Sequence, residues 1–123
     1  MIHTALSLLR QHWQSISLLL LALIGILSLS PLEQLPLAPG SDKIHHLIAY
    51  AALSLPAALR KPKFFWLIIL GYLLFSGLIE LIQPYVNRYG EWLDMLANCL
   101  GILCGVALAQ LLSYCFPEIA TDK

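Results

Sequence analysis

The sequence predicts an all-α integral membrane protein, a bundle of four transmembrane helices with both termini on the cytoplasmic side. Three observations carry that expectation. Of 123 residues, 59% are hydrophobic and only 11% are charged, against about 25% charged in an ordinary soluble domain. The mean hydropathy is +0.80. The apolar residues also fall in long blocks rather than amphipathic stripes, so lipid has to serve as their solvent. The length suits one domain over residues 1–123. A formal net charge of zero gives no electrostatic footprint for nucleic acid.

The first apolar block runs from about residue 13 to 30. Ser28 and Ser30 imitate the small residues of a signal cleavage site, but Pro31 follows directly and the apolar run is long. The block therefore reads as a retained helix. The second block, about 44–59, is the weakest, because its length of roughly 16 residues reaches only about 24 Å. It needs local bilayer thinning or flanking polar anchors. The third block, about 64–82, and the fourth, about 92–116, are long enough to cross. Pro31, Pro36, Pro39 and Gly40 make the first connection irregular, and Arg60-Lys61-Pro62-Lys63 forms a basic turn. Pro84 ends the third helix, and Asn87 and Gly90 suit a turn before the fourth. Trp13, Trp66 and Trp92 lie near block ends, where belt residues sit. Cys99, Cys104 and Cys115 match no zinc spacing and read as apolar helix residues.

Basic residues set the orientation. With four spans, Arg10, Arg60, Lys61, Lys63 and Lys123 share one side, and Lys43 and Arg88 the other. The larger group is expected in the cytoplasm.

Polar groups inside apolar blocks are costly, so each needs a reason. Here they collect at the outer ends of the helices. Asp42, Lys43, His45 and His46 open the second helix, with Tyr50 one turn deeper. Glu80 and Gln83 close the third, Arg88 follows, and Asp94 and Asn98 begin the fourth. Asp42, His46 and Tyr50 recur every four residues and share a face, as do Glu80 and Gln83. Asp94, Asn98, Gly101 and Gly105 line one side of the fourth helix. The Gly101-x-x-x-Gly105 pair lets helix backbones approach closely, either within the bundle or in a homodimer. Asp94 and Asn98 are then expected to face a shared pocket.

Each residue also has a plainer reading. His46 and Tyr50 suit interfacial anchoring. Glu80 and Asp94 could pair with Arg88 or Lys43 to hold helix ends. Gln83 and Asn98 suit interhelical hydrogen bonding. Against this stands a chemical reading, in which Glu80, Asp94, His46 and Tyr50 move protons while Lys43 and Arg88 hold an anionic group. A metal site is disfavoured, because adjacent histidines on a helix point about 100° apart and no His-x-x-x-His spacing is present. No cofactor motif occurs.

These residues resemble the VanZ-like family of bacterial membrane proteins. Asp-Lys-x-x-His-x-x-x-Tyr is matched by Asp42, Lys43, His46 and Tyr50, and Glu-x-x-Gln by Glu80 and Gln83. An Arg and Asp-x-x-x-Asn-x-x-Gly with a further Gly are matched by Arg88, Asp94, Asn98, Gly101 and Gly105. The resemblance covers about residues 42–105. It implies a multi-pass protein of the bacterial inner membrane, in a family named for a protein associated with resistance to the glycopeptide teicoplanin. It does not carry a defined reaction with it.

The resulting expectation is a cell-envelope protein that binds or modifies an anionic lipid-linked or cell-wall component at the outer leaflet. Glu80, Asp94, His46 and Tyr50 are the candidate catalytic residues. Lys43, Arg88, Asp42, Gln83 and Asn98 are the candidate binding residues, and Gly101 and Gly105 serve packing. Membrane lipid is the expected partner, with no nucleic acid, metal or cofactor. The alternative is a non-enzymatic scaffold or assembly module whose polar cluster locks helix ends. A transporter is disfavoured because four helices leave little room for alternating access. Whether the site catalyses or only binds stays open at this level, as do its ligand and the oligomeric state.

Overall fold

A computed structural model describes residues 1–30, 42–86 and 92–121, and every long element among them is an α-helix. In chain order these are α1 (Ile2–Gln11), α2 (Trp13–Leu29), α3 (Asp42–Arg60), α4 (Phe65–Ile82), α5 (Trp92–Cys115) and the single-turn α6 (Glu118–Thr121). The expected bounds of α2, α4 and α5 agree to within a residue. The turn residues expected at 31–40, 87 and 90, together with Arg88 and Lys123, lie outside the described residues.

Two elements differ from expectation. Residues 2–11 form a helix, bent by 79° from α2 at His12. Its apolar residues include a buried Leu6 that packs into the core while Ile2 and Leu8 stay exposed, the pattern of a helix lying along a surface rather than crossing it. The second expected helix is longer than its apolar block. α3 has 19 residues, about 28 Å, because its first turn is built from the charged residues that open it. It ends where Lys61 takes a left-handed conformation (φ 48°) and donates its N–H to the Ala57 carbonyl, with Pro62 next.

Two helical segments are long and apolar enough to cross a membrane. Phe65–Val86 adds the 3-10 turn Gln83–Val86 to α4 and has a mean hydropathy of 2.2; Trp92–Cys115 has 2.0. The bent α1–α2 pair supplies a third if it counts as one span. Outward faces are mostly apolar. Leu18, Leu19 and Ile26 on α2, Leu67, Leu74 and Leu81 on α4, and Leu103 and Leu111 on α5 are all exposed. So much outward leucine is intolerable in water and ordinary in lipid. Exposed aromatics mark both ends of the two segments: Trp66 and Tyr85 on one, Trp92 and Tyr114 on the other. Those separations are about 29 and 33 Å along a helix, which matches a hydrocarbon core of about 30 Å with its aromatic belts. These features mark a membrane protein.

α3 does not meet the same test of apolarity because it is the centre of the bundle. Tyr50, Leu53, Ser54 and Ala57 are essentially inaccessible, and α3 packs on α1, α2, α4 and, most extensively, α5. The α3–α5 contact is a backbone contact. A Cβ at Gly101 would clash with the Leu47 carbonyl, and one at Gly105 with the Ala51 carbonyl and the Ser54 hydroxyl. The two helices run parallel, since their partners rise together along both chains: Lys43 with Asp94, Leu47 with Gly101, Ala51 with Gly105. α2 and α4 are parallel for the same reason, through Ser17 with Tyr72 and Ser28 with Gln83. This arrangement brings the start of α3, the end of α4 and the start of α5 to one end of the bundle. α1 and α6 meet at the other end, where His3 and Glu118 come within 3.4 Å.

Candidate functional site

At the first end a chain of polar side chains runs inward between α3, α4 and α5. Its mouth is Lys43, whose Nζ lies 3.3 Å from Oδ1 of Asp94. The Lys43 side chain is 43% exposed, whereas that of Asp94 is 5% exposed. An aspartate so enclosed needs compensation. Lys43 supplies part of it. The first turn of α5, in which Asp94 sits, supplies more through the positive end of the helix dipole.

One turn along α3, His46 bridges the two acidic and amide groups of α5. Its Nε2 stands 3.9 Å from Asp94 Oδ2, and its Nδ1 is 3.0 Å from Asn98 Oδ1. Asn98 is fully buried and donates its Nδ2 to the Ser76 hydroxyl at 2.7 Å. Because the amide nitrogen faces Ser76, the amide oxygen faces His46 and can only accept. With the amide oriented this way, the Nδ1–H tautomer of His46 is the one that completes the bond. Nε2 is left directed at a carboxylate, the position in which a second proton gives a charged imidazolium–carboxylate pair.

Ser76 lies at the junction. Tyr50 is buried nearby on α3 with its hydroxyl making no hydrogen bond among the described residues, and Glu80 on α4 is within electrostatic reach of it. Ser76 and Glu80 are four residues apart and share a helix face. Ser76 was not among the residues expected at the site; its one weak mark in the sequence is its place one turn before an acidic residue inside an apolar helix. Ser54 belongs to the same interface in a structural capacity, donating to the Ile102 carbonyl at 3.1 Å.

The structure thus gathers Lys43, His46, Tyr50, Asp94 and Asn98 into one cluster with Ser76, and places Glu80 beside it. Gln83 is fully buried but faces elsewhere. Its amide donates to the Ser28 carbonyl at 3.1 Å, fastening the end of α4 to the end of α2 rather than orienting a carboxylate. Asp42 begins α3, but its side chain is outside the described ones, and Arg88 is outside the described residues. Among the described residues, no group of three His, Cys, Asp or Glu side chains gathers as metal ligands would. Cys104 and Cys115 are exposed on α5 and Cys99 is half-buried.

Chemically, the cluster offers an ammonium and an imidazole at its mouth, a carboxylate between them, and neutral hydroxyl and amide groups behind. Such a set binds an anionic oxygen at the mouth and can hold or pass a proton at His46 and Asp94. Over residues 3–113 the chain matches the family model described as VanZ/LLP1. No curated protein and no solved structure matches it.

Proposed function

Since this chain belongs to the VanZ/LLP1 family, we propose that it is a multi-pass protein of the bacterial inner membrane that binds or modifies an anionic lipid-linked or cell-wall component. The action is at the outer leaflet, and altered susceptibility to teicoplanin is its expected consequence. The carrying observation is the buried chain Lys43–Asp94–His46–Asn98–Ser76, which opens at one end of the bundle. Helix packing alone needs no ammonium half in solvent poised over a carboxylate that is almost wholly enclosed.

In this reading Lys43, with Arg88 from the neighbouring connection, holds the anionic group. Asp94 and His46 are the acid–base candidates, with Glu80 and Tyr50 behind them, while Asn98 and Ser76 keep the imidazole oriented. Asp94→Asn and His46→Gln test it. Both variants should reach the membrane at wild-type level and abolish any change in lipid and cell-wall precursors or in teicoplanin susceptibility that the wild type causes. For a catalysed reaction, the loss of turnover is expected to be roughly 10²–10⁴-fold. Wild-type behaviour of both variants at wild-type protein level would sink the proposal.

A second reading is favoured by Gln83, whose amide N–H fastens the end of α4 to the Ser28 carbonyl at the end of α2. If the whole cluster does the same work, the protein is a scaffold. The same substitutions then lower the amount of folded protein in the membrane, in step with any phenotype.

A further inference from the structure

Beside the polar chain, on the lipid-facing side of the α3–α5 pair, lies an open groove of about 290 Å³. Ile44 and Leu47 form one wall, Leu93, Leu96 and Leu100 the other, and Lys43 stands at its mouth. The walls are half-exposed: Ile44 is 52% accessible, Leu93 40%, Leu96 47% and Leu100 46%. From Leu93 to Leu100 the groove runs about 10 Å along α5.

We propose that this groove seats one hydrocarbon chain of a membrane lipid whose phosphate headgroup carries net negative charge, with the phosphate at Lys43. The proposal rests on the reading that the polar cluster serves an anionic membrane component, and it names the class of that component and the way it is held. Three features point to this occupant. Every wall residue is aliphatic, so the groove offers dispersion contacts and nothing for a polar segment to bond. Its volume lies at the lower limit of ordinary ligand pockets, about 300 Å³, which suits part of one chain rather than a whole lipid. Lys43, the cation among the described lining residues, sits at the end where the polar chain opens, and an ammonium with three donors can meet a phosphate while keeping Asp94. A helix from a second copy laid in the same groove would instead press leucine against that ammonium.

Phosphatidylcholine vesicles holding the full chain and a few per cent of phosphatidic acid with a diazirine in one acyl chain supply the test. After irradiation, the label should fall on the segments 44–47 and 93–100. It should exceed roughly tenfold the label from phosphatidylcholine carrying the same diazirine chain, the scale of one charge-assisted hydrogen bond. That comparison needs no variant. Leu96→Trp fills the groove and should remove labelling, and Lys43→Gln should remove the preference for phosphatidic acid.

Equal labelling by the two probes overturns the proposal, as does labelling that Leu96→Trp leaves untouched. So does a Leu96→Cys variant that cross-links to a second copy and thereby excludes the lipid. The outcomes also separate this idea from the function it rests on. If labelling fails while Asp94→Asn still abolishes the envelope effect, the groove falls and the function stands. If the groove labels as expected and Asp94→Asn changes nothing, the function falls.

Discussion

Asn98 decides the state of the cluster around it. A primary amide has one accepting and one donating end, and here the donating end meets Ser76 and the accepting end meets His46. A histidine between a carboxylate and an amide could otherwise take either tautomer. With its oxygen toward the ring, the amide favours the Nδ1–H tautomer and leaves Nε2 on the side of Asp94, 3.9 Å away. Nitrogen-15 NMR of the histidine-labelled protein in detergent or nanodiscs should therefore report a protonated Nδ1 for His46. In Asn98→Leu, which removes the acceptor, that preference should be lost. A pyridine-type Nδ1 in the wild type would mean that the amide is turned the other way and that the proton assignment fails. The importance of Asn98 was visible in the sequence, since a buried amide in an apolar block has to be explained. Its partner Ser76 was not, because a lone serine in a membrane helix can satisfy itself on its own backbone and so gives little signal.

At the scale of helices, the α3–α5 pair is closed by glycine. The Gly101-x-x-x-Gly105 spacing left packing within the bundle and dimerisation both open, and the structure uses it within the bundle, against Leu47, Ala51 and Ser54. The three atoms nearest a methyl group at Gly101 all belong to the Leu47 backbone, which cannot turn aside. Gly101→Ala should accordingly destabilise the protein by about 1–3 kcal/mol, read as loss of folded protein on heating in detergent. Gly71 provides the internal contrast, because a Cβ there meets nothing within 4 Å. Gly71→Ala should be neutral or stabilising by up to about 1 kcal/mol through helix propensity. Equal stability of the two variants would remove the close approach from the account. The bounds of α2, α4 and α5 were readable because lipid-facing helices are apolar over their whole length. α1 escaped because an amphipathic surface helix of ten residues does not form an apolar block. α3 exceeds its apolar block of about 44–59 by the charged residues that open it, because hydropathy marks only the apolar middle of such a helix.

For the whole molecule, the number of crossings turns on α3, which by composition does not stand among the spanning candidates. Its packing argues that it does. α3 lies parallel to α5 with partners matched from Lys43–Asp94 at one end through Leu47–Gly101 to Ser54–Gly105. Its length of about 28 Å covers most of a hydrocarbon core of about 30 Å. If α5 crosses, α3 traverses the same thickness beside it, its polar residues sheltered by protein. The parity of the chain then follows. Four crossings return the C-terminus to the side of the N-terminus, whereas three would leave it opposite. Charge predicts the side: among the described residues Arg10, Arg60, Lys61 and Lys63 lie toward one end and Lys43 toward the other, so the excess of basic residues is expected in the cytoplasm. A fluorescent protein fused after Lys123 should therefore glow, and alkaline phosphatase fused there should be inactive. The same phosphatase fused after Ser30, at the end of α2, should be active. An active phosphatase at the C-terminus together with an active one after Ser30 would show that α3 does not cross. It would also place the two ends of the parallel α3–α5 pair at incompatible depths, and with them the contact between Lys43 and Asp94 on which the mouth of the cluster depends.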